Sequence, residues 1–390
     1  MRIFYVTALI LLLTLTSGFG QVDAGDDITI SAGLPVLLEG RFTGYQAMQV
    51  TAQDDYFVGP FPIGFTFEYF GTPYTEFAIG PNGLVSFNLP DILDVVHWTS
   101  VTIPNSVFEA TIMGPYQDLF QRPGAPHNQF IYYTTVGEEP NRKLIVGWCE
   151  APMFSCDDLR LTAQIVMEES GVIRNHLINK PACEANLGNK ATQGLNFDDV
   201  TGVVVPGRNA TSWSAKGETW LFTPDGPDNY LVTEEDFEPE PAIPPGHISF
   251  AWYKDNYPGG EKVSSADAFL VHPSETTTYY CEVTLCGGVK YVDDITIKTI
   301  PVPNAFNPDS PVEENRTFRL FAEPVEGIRN FRMVIFDRWG REVFETTDIT
   351  VGWDGTYSGS PANAGVYIWS VFYQLGDELL TNKGTVTLVR

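Results

Sequence analysis

The sequence has few of the residues on which catalytic sites usually depend. Only five histidines occur among 390 residues, and none lies in a His-Glu-x-x-His pattern. The chain also lacks a Gly-x-Ser-x-Gly turn and a glycine-rich phosphate-binding loop. Asp118, Glu168 and Glu169 are the candidate carboxylates of a hydrolase, but hydrolysis needs two acids about 5–10 Å apart in one cleft. No spacing in the sequence predicts such a pair, so we expect no enzyme.

Lysine and arginine are scarce as well. There are 23 basic residues against 49 acidic ones, which gives a net charge of −26. Nucleic acid binding needs clustered basic residues, and anionic lipid repels an acidic surface, so we expect neither partner. Pairs of adjacent aspartates could bind calcium at loop ends, although solvated carboxylates that protect strand edges are the simpler interpretation. We expect no cofactor, with calcium as the alternative. The pairs are Asp26-Asp27, Asp54-Asp55, Asp157-Asp158, Asp198-Asp199 and Asp293-Asp294.

Long apolar runs are almost absent. The longest covers Ile3 to Leu15, follows a single arginine and precedes small residues up to Gly20. A transmembrane helix needs about 20 apolar residues, whereas this three-part pattern is typical of a secretory signal peptide. We predict a signal peptide at 1–20, a mature chain that starts at Gln21, and no transmembrane segment.

The residues that are abundant favour β-structure. Aromatic residues make up 13% of the chain, and there are 35 glycines and 28 prolines. Many short strands joined by tight turns give such a composition. No long stretch after the signal peptide has helical periodicity. We therefore predict an all-β fold of β-sandwich modules in series, and the length suits two to four domains.

The region 45–224 carries a series of strand and turn motifs. Asn82-Gly83, between alternating apolar residues, predicts a tight hairpin. Further motifs are "IMGPYQDL" (Ile112 to Leu119), "IYYTTVGEEPNRKLIVGW" (Ile131 to Trp148), "PMFSC" (Pro152 to Cys156), "AQIVMEESGVIRNHLINKPAC" (Ala163 to Cys183), "PGRNATSW" (Pro206 to Trp213) and "TWLFTP" (Thr219 to Pro224). Together they resemble a domain that recurs in Bacteroidetes surface proteins and, loosely, the nidogen-like extracellular domain. Residues 21–44 either open a spacer module or pair within this large domain.

Residues 225–246 hold many acids and prolines and few apolar anchors, which predicts an extended linker. The region 247–299 that follows contains Trp252 and a "TTTYYCEVTLCGGVKYVDDITIKT" hairpin whose turn is Gly287-Gly288. This pattern resembles an immunoglobulin-like or polycystic-kidney-disease-like module, and both are β-sandwiches. Such a resemblance implies a spacer or a weak binding unit.

Residues 300–390 have the densest motifs. They are "PNAFNP" (Pro303 to Pro308), "VIFDRWGREVFET" (Val334 to Thr346), "GWDGTYSG" (Gly352 to Gly359), "AGVYIWSV" (Ala364 to Val371) and "KGTVTLVR" (Lys383 to Arg390). Alternating apolar residues between glycine-marked turns predict a small immunoglobulin-like β-sandwich. Trp339, Trp353 and Trp369 are expected to fill the core or pack on hairpins.

The order and spacing of these motifs resemble the gliding-motility-associated C-terminal domain of Bacteroidetes surface proteins. That domain is a sorting signal for the type IX secretion system. One departure is the loop 307–315, which has two prolines and no glycine, so a calcium site there is not favoured. The positions that carry the resemblance are Pro303, Asn304, Phe306, Pro308, Arg338, Trp339, Gly340, Trp353, Asp354, Gly355, Gly365, Tyr367, Gly384 and Leu388.

The resemblance implies where the protein is delivered. The type IX machinery would be a partner of the chain and would export it through the outer membrane. The chain would then be secreted or kept at the cell surface. The payload is expected to be a non-catalytic binding or adhesion unit for a glycan or an extracellular matrix ligand. Two alternatives are a secreted hydrolase of polysaccharide or protein, and an accessory subunit of a surface or gliding filament. Aromatic residues that could stack on sugars, or more simply fill the core, are Tyr56, Phe57, Tyr69 and Tyr74.

The five cysteines suit an oxidising route. Cys156 and Cys183 occupy the "MFSC" and "KPAC" positions of the Bacteroidetes surface domain, and the resemblance implies a disulfide between them. Cys281 and Cys286 are a weaker pair, because on one strand they face opposite sides unless a bulge intervenes. Cys149 is then left over by parity, as a buried thiol. The absence of Cys-x-x-Cys and of a histidine at metal-finger spacing argues against a metal site.

Overall fold

The computed structural model describes residues 21–89, 98–119, 130–300, 302–320, 328–375 and 378–390. The predicted signal peptide at 1–20 lies outside them. The described part of the chain contains strands and short 3-10 turns but no α-helix, so the all-β prediction is confirmed. None of its helical segments is long and apolar enough to cross a membrane.

The described strands follow in chain order, and they are joined by turns and by 3-10 turns at Leu187–Asn189, Cys286–Gly288 and Glu313–Asn315. The strands are β1 Gln21–Asp23, β2 Ile28–Ser31, β3 Val36–Glu39, β4 Arg41–Thr43, β5 Tyr45–Gln46, β6 Met48–Val50, β7 Val58–Tyr69, β8 Thr72–Gly80, β9 Leu84–Ser86, β10 Thr111–Tyr116, β11 Ile131–Val136, β12 Lys143–Met153, β13 Cys156–Glu168, β14 Ile173–Lys180, β15 Lys190–Asn196, β16 Gly202–Val204, β17 Thr211–Ser212, β18 Ala215–Pro224, β19 Tyr230–Glu235, β20 Ala242–Ile243, β21 Ser249–Lys254, β22 Glu261–Ser264, β23 Ala268–Val271, β24 Thr277–Thr284, β25 Lys290–Ile300, β26 Ala305–Phe306, β27 Ile328–Phe336, β28 Glu342–Thr346, β29 Thr356–Tyr357, β30 Ser360–Pro361, β31 Gly365–Leu375 and β32 Glu378–Leu388.

The first of two compact units comprises mainly residues 43–248 and 284–289. One sheet has the order β16-β15-β10-β9-β8-β7, with β17 beside β15, and the other has the order β19-β18-β14-β13-β12-β11-β6. On β7, Ile63, Phe65, Phe67 and Tyr69 are buried and alternate with exposed residues. Such alternation puts one face of a strand into the core. Apolar side chains from both sheets form that core, which makes the unit a β-sandwich.

Residues 225–246 differ from the predicted linker because they contribute strands to this first unit. β19 pairs with β18, and β20 pairs with β5. Tyr230 is buried, and Glu240 accepts a hydrogen bond from Lys143 Nζ at 2.7 Å. Strand pairing, a buried tyrosine and ion pairs therefore outweigh the acidic, proline-rich composition.

The second unit comprises residues 22–42, 249–283 and 290–390. Its first part is a five-stranded sheet of order β2-β25-β24-β21-β22, with a second pair formed by β3 and β23. The strands of 22–42 thus complete the 247–299 module and do not belong to the large domain. Gly40 permits this close packing, because a Cβ there would lie 2.6 Å from Cys281 Sγ and 3.2 Å from Trp252 Cζ2.

The C-terminal part of the second unit is a sheet of order β26-β32-β31-β27-β28. β31 and β32 form its long central hairpin. Phe318 and Trp353 bridge outside the sheet and exchange two backbone hydrogen bonds of 2.9 Å. Their side chains are fully buried, so this bridge covers one face of the sheet.

Two disulfides occur in the described part of the chain. Cys156 and Cys183 are joined, as the family resemblance implied. The other bond joins Cys149 to Cys286, so the expectations of a free Cys149 and of a Cys281–Cys286 pair were wrong. β24 ends at Thr284, and Cys286 lies in the turn after it, whereas Cys281 is buried and free. The two cysteines of the predicted pair are thus on different elements.

Candidate functional site

Several of the sorting-motif positions form the interior of the C-terminal sheet. The ring centroid of Trp353 lies 4.7 Å from that of Tyr367 and 5.3 Å from that of Phe306. Trp353 Nε1 donates a hydrogen bond of 2.8 Å to the carbonyl oxygen of Thr356. Leu388 pairs with Phe306 between β32 and β26. These buried side chains stabilise the fold and offer no surface to a partner.

Two motif glycines lie where the chain packs too closely for a side chain. A Cβ on Gly355 would lie 2.8 Å from Pro308 Cγ, and the φ of Gly355 is +75°. A Cβ on Gly384 would lie 2.5 Å from Trp369 Cζ2. The motif residues at 308, 355 and 384 therefore have packing roles.

Other motif positions fix the ends of strands. The carbonyl oxygen of Asn304 accepts a hydrogen bond of 2.9 Å from a backbone N–H of β32. Asp354 Oδ1 accepts hydrogen bonds of 2.9 and 2.7 Å from the backbone N–H and the hydroxyl of Thr356. Pro303 precedes β26, and Gly365 begins β31.

The turn between β27 and β28 differs because it is exposed. Its central residues are Arg338, Trp339 and Gly340, and the expectation of core or hairpin packing fails for Trp339, which is 77% exposed. The guanidinium of Arg338 lies 5.2 Å from the centroid of the Trp339 ring. Gly340 has a φ of +79°, which glycine adopts without the usual penalty. The motif thus places a bare indole and a cation on the surface.

Asp337 holds this turn in shape. Its Oδ1 accepts hydrogen bonds from the backbone N–H groups of Trp339 at 2.9 Å and Arg341 at 3.0 Å. The bond from the Arg341 N–H does most to lower the pKa of the Asp337 carboxyl. The Arg341 guanidinium in turn lies 5.6 Å from the ring centroid of Tyr357. The turn therefore displays two cations and an indole on a fixed backbone, with the ring of Tyr357 from β29 beside Arg341.

Comparison with known families agrees with this geometry. The model described as "CHU_C Type IX secretion signal domain" matches residues 300–388, and the model described as "NIDO related" matches residues 38–228. The chain carries a type IX secretion signal domain. Together the two matches fit a protein that the type IX secretion system of Bacteroidetes sorts. The signal domain implies contact with the secretion machinery and export through the outer membrane, to the cell surface or the medium.

Solved structures give weak likenesses. Dimeric latent PorU from Porphyromonas gingivalis is 12% identical, with 95% of this chain and 34% of PorU covered and a TM-score of 0.19. The chain thus spans about a third of the length of PorU. A tetra-tandem repeat from the extending region of a large adhesion protein is 10% identical, with coverages of 96% and 100% and a TM-score of 0.13. BT4661, a SusE-like surface located polysaccharide binding protein from Bacteroides thetaiotaomicron, is 9% identical, with coverages of 95% and 72% and a TM-score of 0.12. At these TM-scores the likenesses carry no argument, and no curated protein matches the chain.

The signal domain also exposes apolar residues that the sequence motifs did not single out. Val366, Ile368 and Phe372 lie on the open face of β31 and are 55%, 47% and 40% exposed. Their opposite neighbours Tyr367 and Val371 are buried. The sequence could have indicated this apolar face, because β31 is apolar on both sides and such a strand is usually covered on both faces.

The loop 307–315 of the signal domain lies against two guanidinium groups. Arg316 Nε donates to the carbonyl oxygen of Ser310 at 2.7 Å, and Arg390 Nη1 lies 3.8 Å from Asp309 Oδ2. Asn307 Oδ1 accepts the backbone N–H of Asp309 at 2.8 Å. Arg316 thus holds the backbone of this loop, and Arg390 lies near its Asp309 carboxylate.

The candidate catalytic acids of the NIDO-related region have different environments. Glu168 and Glu169, at the end of β13, accept hydrogen bonds from Arg174 and Arg142. The Arg142 hydrogen bond lowers the pKa of Glu169. Asp118, after β10 in the other sheet, is 7% exposed. Burial raises its pKa to about 7, and the carboxylates of Asp55 and Asp54 add to the shift.

Three of the four aromatic residues considered for sugar stacking are buried or partly buried in this region. Tyr69 is fully buried, and its hydroxyl donates to the carbonyl oxygens of Thr111 at 3.0 Å and Asn196 at 3.2 Å. Phe57 and Tyr74 are partly buried, whereas Tyr56 is 37% exposed. Core packing thus accounts for most of this set.

One further cluster was missed in the sequence. Cys149, His247 and Cys286 bring three ligand atoms within 4.8 Å of one another, and no other such group of histidine, cysteine or carboxylate ligands occurs in the described residues. Cys149 Sγ lies 3.2 Å from His247 Nδ1. The three residues are too far apart in sequence for any spacing motif to connect them.

Proposed function

We propose that the exposed 337–341 turn is the part of the signal domain that the outer-membrane secretion machinery contacts. The observation that carries this proposal is the 77% exposure of Trp339 beside the Arg338 guanidinium. Most other motif residues are buried or fix strand ends, so they stabilise the domain without being available for recognition. An exposed tryptophan next to arginine is also the composition of a binding hot spot.

The test uses the full chain in a host with an active type IX system and in a translocon-deficient strain. Trp339→Ala should leave the chain folded but retained in the periplasm, as judged by protease accessibility on intact cells. Phe372→Ala is the matched control, because Phe372 is an exposed aromatic residue on another face of the same domain. Normal surface delivery of Trp339→Ala would refute the proposal, whereas equal loss in both variants would assign recognition to a broader surface.

The payload, residues 22–299, is proposed to be a non-catalytic binding unit for a glycan or an extracellular matrix protein. Three features support this view: the β-sandwich fold of the first unit, the acidic composition of the chain with its net charge of −26, and candidate acids that are held in ion pairs or buried. The purified chain should bind a subset of surface polysaccharides or matrix proteins on an array without shortening them. Turnover of any bound polymer would instead favour the hydrolase alternative.

A further inference from the structure

The cluster of Cys149, His247 and Cys286 lies within the first unit, outside the proposed recognition surface. Cys149 and Cys286 are 1% and 8% exposed and are joined by a disulfide. Apolar side chains surround the two sulfurs, and they include Ile145, Val166 and Ala242. The partly buried His247 places its Nδ1 3.2 Å from Cys149 Sγ, so a nitrogen ligand lies directly beside the two buried sulfurs.

The fold fixes all three residues. Cys149 lies on β12, and its N–H donates to the carbonyl oxygen of Phe130 at 2.7 Å. Cys286 lies in a tight turn where a Cβ on Gly287 would be 2.7 Å from Thr162 Cγ2. The N–H of His247 donates to the carbonyl oxygen of a proline three residues earlier, at 3.1 Å. None of these contacts involves the disulfide, so we expect the three side chains to stay close when it is reduced.

We propose that Cys149, His247 and Cys286 form a redox-gated site for one soft divalent cation of the Zn²⁺ class. Two thiolates and an imidazole are ligands that zinc prefers, and three protein ligands leave a fourth position for water. Bond lengths of about 2.3 Å to sulfur and about 2.0 Å to nitrogen put two tetrahedral ligand atoms about 3.5 Å apart. The Cys149 Sγ to His247 Nδ1 distance of 3.2 Å is already close to that value.

The gate is the disulfide itself. A phosphine reductant supplies two electrons, the S–S bond breaks, and one water gives its oxygen to the phosphine oxide and its two protons to the two sulfurs. A dithiol reductant instead gives up its own two protons by thiol–disulfide exchange and leaves as its disulfide. The cation then replaces the two thiol protons, which are released to solvent. While the disulfide is intact, both sulfurs lack the charge that binds a soft cation, so the site is closed.

The experiment uses the purified chain from Gln21 to Arg390, anaerobically, with a phosphine reductant and Co²⁺ as the spectroscopic probe. The reduced chain should bind one equivalent of Co²⁺ with a thiolate-to-cobalt charge-transfer band, and Zn²⁺ should displace it. His247→Ala should weaken Co²⁺ binding by about 10–100-fold or more. His272→Ala is the matched control, because His272 is exposed and is not among the clustered ligands, and its binding should be unchanged.

X-ray absorption of the Zn²⁺-loaded wild-type chain should show two sulfur ligands and one nitrogen ligand, a readout that needs no variant. Sulfur-only coordination, or His247→Ala with unchanged affinity, would overturn the site by assigning the metal to other cysteines. Binding of equal strength without reductant would overturn the gate. Unfolding or failure to bind after reduction, checked by circular dichroism, would overturn the proposal altogether.

Discussion

Replacing Asp118 by asparagine should stabilise the NIDO-related region at neutral and higher pH. The Asp118 carboxyl is almost fully buried, and its pKa is raised by burial first and by Asp55 and Asp54 next. The folded chain therefore holds a proton on Asp118 that the unfolded chain has already released. Asparagine keeps the shape of the side chain and cannot ionise, so the variant avoids the unfavourable buried charge.

The magnitude follows from the two pKa values. The Asp118 pKa is about 7 when folded against 3.8 for a free side chain, and one pKa unit corresponds to about 1.4 kcal/mol. Because solvent screens part of this, we expect Asp118→Asn to raise the unfolding free energy by about 2–3 kcal/mol at pH 8. The folded pKa is the higher one, so the wild-type chain loses stability as the pH rises from 3.8 to 7. The gain from the substitution should vanish below that window.

Urea unfolding followed by circular dichroism at pH values from 3.5 to 8 measures this difference. Asp199→Asn is the control, because Asp199 is an exposed acid of the same unit and its substitution should change stability little at any pH. A gain for Asp118→Asn that is independent of pH, or a loss at pH 8, would refute the reasoning. Either result would mean that the Asp118 carboxylate has a stabilising partner when ionised.

Two further predictions concern the signal domain. Trp353→Ala should lower the unfolding free energy of this domain by about 3–5 kcal/mol in urea titrations, because a fully buried ring and a hydrogen bond are lost. The exposed Trp339→Ala should change that free energy by about 0.5 kcal/mol or less. Equal losses in the two variants would contradict the assignment of Trp353 to the core and Trp339 to the surface. Gly384→Ala should lower the free energy of thermal unfolding by about 1–3 kcal/mol, because the new methyl group meets the Trp369 ring. The control is Thr385→Ala, a substitution at an exposed neighbouring position. If both variants melt at the same temperature as the wild-type chain, the Trp369 ring can move aside.

The sequence predicted local structure well because its signals are local. The Asn82-Gly83 signal corresponds to the β8–β9 hairpin. The motif spacing of 300–390 also identified the signal domain. It could not separate the buried Trp353 from the exposed Trp339, because each lies within two residues of an aspartate and of a turn glycine.

Long-range pairings were beyond the sequence for a physical reason. The Cys149–Cys286 bond spans 137 residues, and no periodicity or parity rule connects its two ends. The linker prediction for 225–246 is wrong because acids and prolines dominate its composition, while its structure depends on distant partners: β19 pairs with β18, β20 pairs with β5, and Glu240 bonds to Lys143 and Gln164. The same applies to the strands of 22–42, whose partners lie beyond the large domain.

The pairing of these first strands sets an order of events. Thr296 N–H donates to Asp27 Oδ1, a partner 269 positions earlier, and β2 runs parallel to β25. A chain that emerges from its N-terminus must therefore hold β2 and β3 with open edges until 249–300 has followed. Closing so long a loop is slow unless the intervening residues are already compact. The small module can therefore be completed only after the whole sequence of the large domain has followed β2 and β3, so its last strand pairing is a late event in maturation.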